Sequence, residues 1–295
     1  MNIKRSISII AVVIILIISQ FLMVKLVYSH KIQGSTAEFL ASIYKLKAGT
    51  IEDNQGNIDI SLEDFFNNKK FANKLLAAQV ATDPQFADLE ISDQEMSDIV
   101  WDKLLKQAWL NKIATENNIE VSKEDVDYYI DSMGGQEKLE ELIKNQGVSV
   151  DEYKHFLVEA DILEYKVLNY LLSNFADERG VSRIQEAYSF LESENGKNWD
   201  EAVEKYGEDA KLSDNSFWLA EDELVDVYEA IKEVEEGGFS KIVQTPLGYI
   251  IWHVDNIASD EDTNMTEVRG LFVYAKGVGE FLDDYLNKVS VKRKY

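Results

Sequence analysis

The fold is organised around residues 237–254, which read GGFSKIVQTPLGYIIWHV. Two apolar runs rich in β-branched residues flank a short turn in which Pro246 fixes φ and Gly248 tolerates unusual backbone angles. This pattern predicts a β-hairpin. Apolar side chains recur at helical spacing over residues 227–234, so a helix is expected just before the hairpin.

The order of helix, glycine pair, hairpin and closing strand resembles the second half of a parvulin, the rotamase module of extracytoplasmic foldases. The similarity covers residues 184–256, because residues 187–191 and 199–209 also follow the family's two early helices. It implies a small antiparallel sheet with flanking helices that grips unfolded or proline-containing polypeptides without a cofactor. By this resemblance, the substrate-binding residues are Trp218, Tyr228, Thr245 and Gly248.

The chain departs from the parvulin pattern at the two histidines. Parvulins usually carry a His directly after the Gly-aromatic pair of the last strand, where this chain has Ile250. Side chains alternate along a strand, so His253 points away from the face of Ile250 and cannot replace it. No residue is therefore predicted to be catalytic.

The second family histidine lies on a first strand that residues 174–182 do not supply. A strand pattern, VRGLFVY, occurs instead at residues 268–274, and Gly270 stands where the histidine would lie. We expect this strand to lie beside the hairpin and to take the place of the first strand that is missing before Arg183.

A second ordered set of motifs consists of Leu104-Leu105, the helical stretch 109–114, residues 119–122, Val126, residues 147–149 and Tyr153. By this order, residues 58–170 resemble the N-terminal helical lobe of SurA-like and PrsA-like chaperones. Helix starts are marked by capping residues at Ser92, Ser122 and Ser149, each followed three residues later by an acidic residue. The resemblance implies a client-binding lobe. It also implies a final strand near residues 289–292 that returns to strands near Ile43 or Ile58.

Composition excludes several classes of function. The 295 residues carry a net charge of −24, and a surface so acidic disfavours nucleic-acid binding, which requires neutralisation of phosphates by basic residues. Cysteine is absent, which excludes disulfides and thiol chemistry, and the 3 histidines are far apart in sequence. We therefore expect no metal site, and the parvulin resemblance implies no cofactor.

The N-terminus combines a basic lead, Lys4 and Arg5, with an almost wholly apolar run over residues 6–24. Nineteen residues of helix just span a bilayer at about 1.5 Å per residue. The run predicts an uncleaved transmembrane anchor, and a cleaved signal peptide is the alternative. The predicted location is the bacterial cytoplasmic membrane, with a single pass and the bulk of the chain outside the cytoplasm.

Together these observations predict an α+β protein with a single N-terminal transmembrane helix. The expected domains are the anchor or signal at 1–31, a mainly helical SurA-like lobe at 32–173, a degenerate parvulin-like domain at 183–256 and a C-terminal strand-helix-strand at 265–295. The favoured function is a membrane-anchored, extracytoplasmic foldase or chaperone that binds unfolded or exported polypeptides through the parvulin-like module, which lacks the usual pair of histidines. The alternatives are an active parvulin-type prolyl isomerase and a non-catalytic scaffold for one fixed partner.

Overall fold

The chain forms two compact units. The computed structural model describes residues 20–82, 84–86, 89–174, 176–220, 229–259 and 264–295. The first lobe comprises the described residues up to Glu164 together with Leu282–Tyr295, and the second lobe comprises the described residues from Tyr165 to Phe281. The predicted C-terminal segment 265–295 is thus divided between the two lobes.

Helices dominate the first lobe. They are α1 (residues 20–28), α2 (Ser35–Tyr44), α3 (Leu62–Thr82), α4 (Asp93–Asn117), α5 (Lys123–Ser132), α6 (Gln136–Ile143), α7 (Val150–Tyr153) and the first part of α8 (Glu159–Ser173). A π-helical turn, Lys154–Val158, joins α7 to α8, and a 3₁₀ turn, Pro84–Phe86, lies between α3 and α4.

The helix starts follow from local capping chemistry. The hydroxyls of Ser92, Ser122 and Ser149 each accept a hydrogen bond from the backbone N–H three residues later, and the acidic side chain there bonds back to the cap residue. Ser61 likewise accepts bonds from the backbone of residues 63 and 64 at the start of α3. The predicted caps are confirmed because each depends only on residues within one turn.

A three-stranded antiparallel sheet completes the first lobe. Its strands are β1 (Lys47–Asp53), β2 (Gly56–Ser61) and β7 (Ser290–Arg293), in the order β2-β1-β7. Val291 pairs with Ile51, so the last strand joins the sheet beside β1. Ile43, which was expected on a strand, lies on α2, because the strand begins only at Lys47.

The predicted membrane anchor is corrected by the structure. Within the part of the chain that the structure describes, no helix combines the length and the apolar character that a bilayer crossing requires. Residues 6–19 of the predicted span lie outside the described residues. The finding overturns the single-pass transmembrane helix of the predicted fold class and the predicted location in the bacterial cytoplasmic membrane; the α+β assignment itself agrees with the helices and the two sheets.

The described end of the apolar run has a role in the core of the first lobe. Val27 is fully buried and belongs to the hydrophobic cluster that contains Ile51, Phe65 and Trp101. The Tyr28 hydroxyl donates to the carbonyl of Lys47 at 3.0 Å and accepts from its N–H at 3.1 Å. A run of apolar residues can serve a protein core as well as a membrane, and length alone does not separate the two.

The second lobe is a four-stranded antiparallel sheet covered on both faces. Its helices are the remainder of α8, α9 (Glu178–Ser193), α10 (Trp199–Tyr206), α11 (Ala210–Asp214) and the first part of α12 (Val278–Leu286). Its strands are β3 (Phe217–Ala220), β4 (Val243–Thr245), β5 (Gly248–Ser259) and β6 (Asn264–Tyr274), in the order β3-β6-β5-β4.

The strand order confirms two sequence predictions. Thr245 pairs with Gly248, so β4 and β5 form the expected hairpin with a two-residue turn. The strand expected at residues 268–274 is part of β6 and pairs along β5, with Gly270 opposite Trp252. In the sheet, β6 lies between β3 and β5.

Gly49 allows the close approach of three parts of the first lobe. A Cβ atom placed there would lie 2.2 Å from the ring of Trp101 and 2.6 Å from the carbonyl oxygen of Lys292. The glycine therefore lets α4 and β7 pack directly against β1.

Replacing Gly49 by Ala should lower the free energy of unfolding by about 1–3 kcal/mol, because overpacking displaces the Trp101 ring or the β7 backbone. Urea unfolding followed by circular dichroism measures the change. Gly279→Ala is the matched control, since no atom lies within 4 Å of its added Cβ. Equal stabilities of the two variants would contradict the close-packing interpretation.

Candidate functional site

The first lobe contains a broad groove of about 1230 Å³. This volume exceeds the roughly 300–1,000 Å³ of sites for small ligands, so the groove is large enough for a segment of polypeptide. Its walls come from β2, the first turns of α3, the second half of α4, the segment 118–121, and the π turn with the start of α8.

One wall is a polar stripe along α4. Gln107, Asn111 and Thr115 recur every four residues and therefore share the helix face that lines the groove. Trp101 and Leu105 of the same helix are buried in the core of the lobe. Within the described residues, the side-chain amides of Gln107 and Asn111 form no hydrogen bond with the protein.

A second wall comes from the start of α3, where Asp64, Asn67 and Asn68 line the groove. Asn68 is 5% exposed, and its Nδ2 donates to the carbonyl of Asp64 at 3.0 Å. Its Oδ1 is buried and has no hydrogen-bond partner. Burial raises the pKa of the Asp64 carboxyl, the neighbouring Glu63 raises it further, and His155 opposes the shift.

The third wall is the π turn, which places His155 and Phe156 at the groove. π turns inside α-helices often occur at functional sites. The Lys103 ammonium on α4 donates to the carbonyl of Phe156 at 3.0 Å and lies 5.9 Å from the Phe71 ring centre and 5.8 Å from that of Phe156. Burial lowers the pKa of Lys103, while Asp161 opposes the shift.

Of the three sequence-predicted substrate residues that the structure describes, Thr245 and Gly248 lie together, and Trp218 lies apart from them. Trp218 lies on β3 and Thr245 on β4, the two edge strands of the sheet, which are about 14 Å apart at ~4.8 Å per strand. Gly248 begins β5, and Tyr228 lies outside the described residues. The prediction therefore yields no single site.

Thr245 and Gly248 have structural roles in the hairpin turn. The Thr245 hydroxyl donates to the carbonyl of Gly248 and accepts from the backbone N–H groups of residues 247 and 248. A Cβ at Gly248 would lie 2.1 Å from the carbonyl oxygen of Val273. Both positions are explained by the turn and by the close approach of β6.

The sheet face that contains Ile250 is covered by apolar side chains. Ile250 is 2% exposed, and it clusters with Trp252, Phe272 and other apolar residues. A Cβ at Gly270 would lie only 2.7 Å from Cδ1 of Ile250, so the isoleucine fills the space beside the glycine. The indole N–H of Trp252 is buried on this face without a hydrogen-bond partner.

His253 lies on the opposite face, as the strand alternation predicts. Its ring centre is 4.8 Å from that of Trp199, and its Nδ1 is 2.9 Å from a carboxylate oxygen of Asp255. The Arg269 guanidinium donates to both carboxylate oxygens of Asp255. The imidazole is thus part of a paired network inside the second lobe, which is a structural arrangement.

Sequence reasoning missed the groove. The available signal was the four-residue spacing of the amide side chains of Gln107 and Asn111 on α4. That signal shows a shared helix face but not which elements lie opposite it, so the groove itself depends on tertiary packing.

We predict that His253 makes stability depend on pH. Burial lowers the pKa of the imidazole, and the Asp255 carboxylate opposes that shift. The unfolded chain then binds the proton more readily than the folded chain below about pH 6.5, the ordinary value, so the free energy of unfolding falls as the pH drops below it. Urea unfolding between pH 5 and pH 8 measures this effect. As the pH falls, the free energy of unfolding should decrease less for His253→Gln than for the unmodified protein. An equal decrease in both proteins would show that His253 is not the group responsible.

Comparisons with protein families, with curated proteins and with solved structures gave no match. Function must therefore be inferred from the geometry of this chain. The groove of the first lobe has uncommitted polar side chains, whereas the predicted substrate residues of the second lobe are dispersed or engaged in a turn.

Proposed function

We propose that this protein binds unfolded polypeptides, as a foldase or holdase, through the groove of the first lobe. The observation that carries the proposal is the pair of uncommitted amides, Gln107 and Asn111, on one wall of a groove of about 1230 Å³. An unfolded chain exposes backbone N–H and C=O groups, and a side-chain amide both donates and accepts hydrogen bonds. Such a wall suits extended polypeptide of varied sequence.

The groove also offers apolar contacts beside its amides. Leu104 and Ala108 on α4, together with Phe156 and Leu163 from the π turn and α8, line the same space. Unfolded chains expose apolar side chains that folded proteins bury, and burying them is favourable by about 25 cal/mol per Å². The mixture supports binding of unfolded segments over binding of a small polar ligand.

The second lobe supports a parvulin-like origin for the sheet. The strand at 268–274 lies between β3 and β5, where the resemblance calls for a first strand. This order is consistent with a parvulin-like sheet whose first strand comes from a later part of the chain. We base the proposed resemblance to SurA-like and PrsA-like foldases on this sheet and on the capped helices of the first lobe.

Binding without catalysis is favoured over prolyl isomerisation. The positions that correspond to the family histidines hold Ile250 and Gly270, and the isoleucine side chain occupies the space between them. A rotamase must favour the twisted amide over the planar one, which requires preorganised polar groups at an accessible groove. Ile250 is instead 2% exposed in an apolar cluster.

We predict that the purified protein suppresses the aggregation of at least two unrelated unfolded clients. Replacing both Gln107 and Asn111 by Ala should weaken client binding about tenfold or more, since each lost hydrogen bond contributes about 0.5–1.5 kcal/mol. Light scattering of heat-denatured clients and fluorescence titration with a permanently unfolded client measure the two effects.

The matched control replaces Gln136 and Asn145, two exposed amides of the same lobe outside the groove. This control should bind clients like the unmodified chain. Equal binding by both double variants would exclude the groove as the site. Failure to protect any client, with capture of one tight partner, would favour a scaffold for a fixed partner.

We predict that Ile250→His does not create a prolyl isomerase. The substitution buries an imidazole in an apolar cluster and should lower the free energy of unfolding by roughly 2–4 kcal/mol. A protease-coupled isomerisation assay on a proline peptide, run below the unfolding temperature, should show the uncatalysed rate for both proteins. Proline-dependent turnover by either one would establish the isomerase alternative.

A further inference from the structure

We infer that the groove selects cationic segments of unfolded polypeptides, which it binds through lysine or arginine side chains at Asp64 and Asn68. The inference rests on the proposed function, because it names the class of client for the same groove. It is carried by the charge balance of the lining and by two hydrogen-bond acceptors that the protein leaves without donors.

The groove lining has a strong excess of negative charge. It contains five carboxylate side chains, Asp59, Asp64, Glu116, Glu120 and Glu159, against one lysine, Lys112. That lysine already forms an ion pair with Glu116 and lies 3.8 Å from Asp53, so its charge is engaged within the lobe. An occupant that brings positive charge complements this lining, and an acidic occupant is repelled.

Asp64 is the carboxylate of this set that is available to a ligand. Asp59 pairs with Lys47, Glu159 lies 3.0 Å from Nδ1 of His155, and Glu120 also has an interaction partner. Within the described residues, the Asp64 carboxylate forms neither an ion pair nor a side-chain hydrogen bond. A client cation would supply an ion-pair partner, which the described residues of the lobe do not.

Asn68 provides a second acceptor one turn further along α3. Its amide nitrogen donates to the Asp64 carbonyl, so its Oδ1 is left as an acceptor, and this atom is buried without a partner. A buried acceptor without a donor is costly, which indicates that a donor from a ligand completes it. Ammonium and guanidinium groups carry several donors and no acceptor, so one of them can bond to Asp64 and Asn68 together.

Three unstructured, fluorescein-labelled peptides of equal length test the inference. They differ only in carrying lysine and arginine, glutamine, or glutamate at the same positions. By fluorescence anisotropy at low ionic strength, the cationic peptide should bind about tenfold more tightly than the neutral one, which corresponds to one charge-assisted hydrogen bond. Added salt should reduce this preference.

Two groove variants and one control assign the preference to these residues. Asp64→Asn should abolish the preference, whereas Glu63→Gln removes the same charge from the adjacent residue, which does not line the groove, and should leave it intact. Asn68→Leu should weaken binding of the cationic peptide while stability in urea stays equal or rises, because the unpaired buried oxygen is removed. Loss of stability without loss of affinity would assign Asn68 a purely structural role.

The outcomes separate the inference from the proposed function. If the three peptides bind equally and unfolded clients are still protected from aggregation, the charge selectivity is refuted and the binding function stands. If no peptide binds and no client is protected, the binding function fails and the selectivity fails with it.

Discussion

The hydrogen bond from the Lys103 ammonium to the Phe156 carbonyl is the contact on which the groove depends. A π turn inserts an extra residue and disturbs the regular bonding of the helix, so a backbone carbonyl at that point needs another donor. Lys103 reaches it from α4 and is flanked by the rings of Phe71 and Phe156. One cation therefore fixes the distance between two of the groove walls.

Short-range chemistry could be predicted from the sequence, and long-range packing could not. The caps at Ser92, Ser122 and Ser149 involve residues three positions apart, and the turn at Thr245 involves four. The position of residues 268–274 beside the hairpin was also predicted, from the resemblance of their pattern to the first strand of a parvulin. For the caps and the turn, the short sequence motif contains both residues that form the hydrogen bond.

The failures have a common physical cause. Val24, the last residue of the apolar run, packs against the core of the first lobe together with Val27, and the sequence pattern alone does not indicate this contact. The groove likewise joins α3, α4 and the π turn, and no local motif reports their proximity. Trp218 and Thr245 were expected to share a site by resemblance, yet they lie on opposite edge strands.

The pairing of β7 with β1 has a consequence for biosynthesis. Lys292 bonds to Glu52 across 240 residues of chain, and the whole second lobe is encoded between these two strands. Contacts of such high sequence separation form late because the intervening loop must first be closed. On the ribosome, the edge of β1 therefore stays unpaired until the whole second lobe and β7 have emerged, and an exposed strand edge is open to intermolecular pairing for all of that interval.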